Sequence, residues 1–181
     1  MNIIPTRNLS AILLIAVIAA TSASAWAVDT QDTSPDKENE LLAVLRSDAP
    51  GAEKAIACKN LAIHGSDAAV PELANLLPDP QLSSWARIAL ESIPGPAADE
   101  ALRTAADSLE GRLLIGMINS IGVRRDAHAV DSLAEKLQDA NADAASAAAV
   151  ALGHIGNPAA TELLRTTLAT AHEDIRSAVA E

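Results

Sequence analysis

The amino-acid sequence predicts an all-α protein, a right-handed α-solenoid (superhelix) of antiparallel helix pairs. Three observations lead there. Aromatic side chains are nearly absent, with two Trp and neither Phe nor Tyr, although 49% of the 181 residues are hydrophobic. The core must then be built from Ala, Leu, Ile and Val, and alanine, which loses no side-chain entropy in a helix, favours closely packed helices. Apolar residues recur at helical spacing between short bends marked by Gly or Pro. Finally, the bends return at a period of roughly 30 residues, the signature of stacked supersecondary units.

The elements follow in order. "MNIIPTRN" carries one positive charge, Arg7, and leads into the apolar run "LSAILLIAVIAA" and the small-residue stretch "TSASAWA". That order is that of a secretory signal peptide, residues 1–27, cleaved after Ala27. The run is short for a membrane span, which needs roughly 20 apolar residues, and no Cys follows the cleavage point to take a lipid. The expected product is exported to the periplasm or the extracellular space, with a net charge of -12 (-11 less the +1 of Arg7). Residues 28–34 read as a polar linker. Ser34-Pro35-Asp36 then supplies a capping hydroxyl, a proline in the first turn and an acid at the positive end of the helix dipole. The array therefore runs from 35 to 181, its first helix carrying Leu41, Leu42, Val44 and Leu45.

From that helix on, the chain repeats itself. Leu61, Leu90, Ile118 and Leu152 each lie one turn before a bend, marked in turn by Gly65, Pro94-Gly95, Gly122 and Gly156. Each bend leads to a second helix patterned Ala-x-x-x-Leu: Ala69/Leu73/Leu77, Ala98/Leu102/Ala106, Ala129/Leu133/Leu137 and Ala160/Leu164/Leu168. A lone helix pair cannot cover its own apolar faces, and stacking such pairs can. Gly153-His154-Ile155-Gly156 looks like a ligand loop, but it lacks the strand and the lysine that phosphate loops need. Glycine recurs at that place because it enters the left-handed conformation that ends a helix without steric cost. Gly65, Pro94, Gly95, Gly122 and Gly156 are accordingly expected to be hinges.

"AAAVALGHIGNPAATELLRTTL" (147–168) resembles a HEAT repeat of the phycobilisome-lyase-like subgroup, matching at Ala148, Ala151, Leu152, Gly153, Ile155, Gly156, Leu164 and Leu168. "WARIALESIPGPAADEALR" and the run Gly111 to Val130 are similar to exported bacterial HEAT-repeat proteins. Ile175-Arg176 falls at the subgroup's apolar-Arg pair, while Ala145 stands where the fourth unit would carry its Arg. The resemblance covers residues 41 to 181 and implies an armadillo-like helical array that binds proteins. In exported proteins such arrays often precede a carbohydrate-active or c-type cytochrome domain, so an accessory array of a larger enzyme is the alternative. A bilin lyase-like role is a further alternative, although an exported chain lies apart from phycobilisome assembly. The array is also expected to continue: a new first helix starts after Glu173-Asp174, without its bend or partner helix by Glu181.

Catalysis is not expected. His64, His128, His154 and His172 lack the one-turn spacing of a metal site, and there is no CxxCH, no Gly-x-Ser-x-Gly and no second Cys to pair with Cys58. Neither a cofactor nor a metal is expected. The 24 acidic residues offer pairs by abundance, but the aromatic platforms that sugars stack on are missing. The acidic balance also argues against nucleic acid, whose phosphates require Lys and Arg. Two surfaces are candidates for a protein partner of unknown identity. Arg124 and Arg125 lie on a bend expected to be longer than the others. They are either solvated beside a capping Asp126 or form a clamp for carboxylates. The positions two before and two after each second-helix Leu should be exposed, and none of them is basic. In a HEAT-like array second helices line the concave face, so Glu100, Asp131, Glu135 and Glu162 should gather there as an acidic strip for a basic partner.

Overall fold

The structure, a computed structural model, describes residues 35–168. The expected signal peptide and linker, and the further unit expected around Ile175-Arg176, lie outside the described residues. Helix α1 spans Pro35–Arg46, α2 Gly51–His64, α3 Val70–Ala74, α4 Ser83–Ser92, α5 Pro96–Ser108, α6 Gly111–Arg124, α7 Val130–Lys136, α8 Ala142–Ile155 and α9 Pro158–Leu168. Single 3₁₀ turns, Asp67–Ala69 and Ala127–Ala129, lead into α3 and α7. There is no strand among the described residues.

The helices form two layers. The first helices of the pairs, α2, α4, α6 and α8, pack on one another in sequence. The second helices lie in the other layer, where α3 meets α5 and α7 meets α9, and α1 packs on α2 in the same role. This is the all-α solenoid that the repeat requires. One apolar core runs between the layers. The residues one turn before each bend, Leu61, Leu90, Ile118 and Leu152, are fully buried. Ala69, Ala98, Ala129 and Ala160 are buried opposite them, with Leu73, Leu102 and Leu133. Leu164, on the last described helix, is half-buried; no described helix covers its far side.

Local chemistry starts the second helices by side-chain caps and by prolines, and α9 has both, Asn157 accepting from the N–H of Ala160 at 2.8 Å. Before α3 and α7 the side chains of Ser66 and Asp126 accept from the backbone N–H of Ala68 and His128, which satisfies a donor that the helix start leaves free. For α5 and α9 a proline, Pro96 or Pro158, opens the helix, where its fixed φ suits the first turn.

Two expected hinges need correction. Gly156 is left-handed (φ 60, ψ 15) and ends α8 as foreseen, and Gly95 (φ 100) sits between α4 and α5. Gly65 follows α2 but is extended, with φ -76 and ψ 149. Its reason for being glycine is space, since a Cβ there would strike the Leu61 carbonyl and come within 3.1 Å of Ile93 Cδ1. Gly122 is not a hinge at all. It lies inside α6, where a Cβ would stand 2.8 Å from the Cα of Ala151, so it lets α6 and α8 approach closely. The left-handed residue that ends α6 is Arg125 (φ 55, ψ 41). The long bend expected there is taken up by another turn of helix.

Candidate interaction face

Charge divides between the layers. Second helices α3, α5, α7 and α9 carry seven carboxylates and three cations. First helices α2, α4, α6 and α8 carry three carboxylates and five cations. Glu100, Asp131, Glu135 and Glu162 are all exposed on second helices. Glu162 is engaged by Arg165 through bonds of 2.8 and 3.0 Å, and that cation draws its carboxyl below the ordinary range. Glu100, Asp131 and Glu135 have no hydrogen-bonded or ionic partner among the described residues. Of the layer's three cations, Arg103 is held by Asp126 and Arg165 by Glu162, and Lys136 has no ion pair among the described residues.

The Arg pair separates into two different residues. Arg124 is neither a solvated bend nor an anion clamp: its side chain is 8% exposed and turned inward. The guanidinium pairs with Asp99 and donates to the carbonyls of Leu90 and Ile93 at 2.6 Å and of Gly95 at 2.9 Å. These carbonyls mark the end of α4, where free acceptors and the negative end of the helix dipole favour a cation. Arg125 is exposed. Asp126 does cap its turn, and its 5% exposure and pairing with Arg103 add a tie between α5 and the next unit.

Other ties went unread in the sequence. Arg87 on α4 reaches Gly116 O (3.0 Å) and Ser120 Oγ (2.8 Å) on α6, and Ser120 donates to Glu91 at 2.6 Å. Glycine at 116 leaves room for that guanidinium, whose Nε would stand 2.9 Å from a Cβ. Glu38 on α1 accepts from the N–H (2.6 Å) and hydroxyl (2.9 Å) of Ser66, and Arg46 pairs with Glu72 at 2.7 Å. Each contact joins residues more than twenty positions apart, which helical periodicity does not reveal.

The second-helix face also holds a groove of about 390 Å³ between α3 and α5, with Glu100 at its mouth. Among the described residues, the large exposed hydrophobic residues, Ile56, Ile63, Trp85, Ile88, Val123 and Val150, all lie on first helices. His128 and His154 are exposed and His64 is half-buried at the end of α2, while His172 lies outside the described residues. No three His, Cys, Asp or Glu side chains converge as a metal site among the described residues. No described helix is long and apolar enough to cross a membrane.

Stacked helix pairs with an acidic second layer define a helical-repeat protein. A family model described as HEAT repeats matches residues 110–181, from the start of α6 onward. Together with the architecture, this supports a HEAT-repeat protein, and HEAT repeats generally act as protein-interaction scaffolds. No curated protein matches the chain.

Proposed function

We propose that the chain is an exported, non-catalytic scaffold whose second-helix face binds a basic or cation-bearing protein. One observation carries this reading: Glu100, Asp131 and Glu135 are exposed and unpaired, while two of the layer's three cations, Arg103 and Arg165, are engaged and Lys136 alone is not. An unpaired acidic surface steers and orients a basic partner. Export rests on the order of charge, apolar run and small residues in positions 1–27.

The test is comparative affinity capture by the full mature chain, the triple variant Glu100→Lys/Asp131→Lys/Glu135→Lys, and a first-layer control, Ile56→Asp/Ile88→Asp. Partners should be lost with the triple variant, retained by the control, and released from the wild type by salt. Capture that is the same for wild type and the triple variant would end this reading.

A further inference from the structure

The geometry points to a specific seat on this face: the groove between α3 and α5 receives a helical segment of another protein that carries an aliphatic side chain one turn from a lysine or arginine. This rests on the scaffold reading and names the chemistry of its partner. The floor is Val70 and Leu77, both buried; the walls are alanines, among them Ala101 and Ala105; Glu100 stands exposed at the mouth.

The groove has a local origin. Helix α3, Val70–Ala74, passes into the turn that carries Leu77 and Pro78, and both stretches line the groove opposite α5. Alanine at one-turn intervals along α5 leaves out the volume that leucine would fill. The space lies near the lower end of the roughly 300–1,000 Å³ typical of ligand pockets, which suits one or two side chains rather than a domain. An apolar floor accepts an aliphatic group and rejects a charged one. The unpaired carboxylate at the mouth then selects a cation beside it, and the two together set a register. The long walls are α3 and α5, whose backbone groups are bonded within the helices, so no sheet edge invites an extended strand, and an amphipathic helix docks there by its side chains.

A second copy is the nearest rival, because the outer ridge of α2 presents Ile56 (60% exposed), Lys59 and Ile63 (64% exposed). Each copy, however, has a net charge of -11 and the first turn of α2 holds Glu53. Like-charged copies repel, so a foreign basic segment is the better fit.

The probe is a fluorescein-labelled helical peptide with leucine one turn from arginine, titrated into the full chain by anisotropy. Its controls are the leucine-to-glutamine peptide, the arginine-to-glutamine peptide and a basic peptide without aliphatic residues. Binding should weaken about tenfold on losing the leucine or on filling the groove by Ala101→Leu, and about threefold with Glu100→Gln, which also flattens its salt dependence. Thr104→Trp, at the exposed mouth, repeats the blocking test should Ala101→Leu lower the melting temperature. Wild-type affinity in both blocking variants overturns the proposal, as does binding no better than that of the aliphatic-free peptide. If that basic peptide binds equally well and loses affinity only with Asp131→Lys/Glu135→Lys, the acidic face stands and the groove assignment falls. Self-association in sedimentation equilibrium that both Ala101→Leu and Ile56→Asp abolish gives the groove to a second copy and overturns it too. If no peptide binds and the triple charge reversal leaves partner capture unchanged, the scaffold reading falls with it.

Discussion

Arg124 and Arg125 are neighbours of the same type with opposite roles, and the difference is measurable. Removing the Arg124 guanidinium leaves Asp99 and the carbonyls at the end of α4 without their donor. Arg124→Ala should therefore cost about 2–3 kcal/mol, below the 3–5 of a fully buried pair because Asp99 is partly exposed. Arg125→Ala should stay within about 0.5 kcal/mol in the same urea titration. Cys58 makes a second case. It is 0% exposed, and burial pushes its thiol up to about 11. Its folded pKa exceeds the unfolded value near 9.0, so the stability it contributes is intact below pH 9 and declines as pH rises toward 11. Cys58→Ala should show a shallower loss of stability across that window. The wild-type thiol should resist iodoacetamide at pH 8 until the chain unfolds.

Among helices, the decisive quantity is how closely backbones approach. Gly122, expected at a bend, and Gly153 both lie in helices. A Cβ at 122 meets the backbone of Ala151, whereas a Cβ at 153 meets nothing within 4 Å. Gly122→Ala should push α6 off α8 and cost about 1–2 kcal/mol despite its gain in helix propensity. Gly153→Ala should stabilise by about 0.5–1 kcal/mol. Thermal melts of the two variants check both signs; a stabilised Gly122→Ala would contradict the close packing of α6 on α8. The recurrence of glycine was legible, since it falls near every corner, but its reason was not. At 156 it is backbone conformation, and at 65 and 122 it is room for a neighbour.

Over the whole array, Cys58 is the single cysteine, so no internal disulfide assists the packing between units. Each helix touches near neighbours in the stack, and a local lesson follows. Leu61→Ala, at a fully buried site on α2, should cost about 3 kcal/mol. Amide exchange should rise first in α1, α2 and α4, with α8 protected longest, as nearest-neighbour coupling in repeat arrays predicts. A uniform rise across all nine described helices would show instead that the array unfolds as one unit. The candidate face belongs to this scale as well. The exposure of Glu100, Asp131, Glu135 and Glu162 was legible, because on a helix the positions flanking a buried Leu follow from 3.6-residue geometry. The groove beside Glu100 was not, since it forms only where stacking sets α3 and its following turn beside α5.

By itself the sequence determined the class of fold, three of the four corners and most of the core residues of the pairs. These follow from apolar spacing within about 30 residues, where local periodicity governs. Only the tertiary structure decided which charges are spent and which remain available. Arg124 and Asp126 turn inward to hold other units, Glu162 is taken by its own helix, and Glu100 is left at the mouth of a groove. A side chain's partners are set by what stacking brings beside it, and stacking joins residues that the chain keeps far apart.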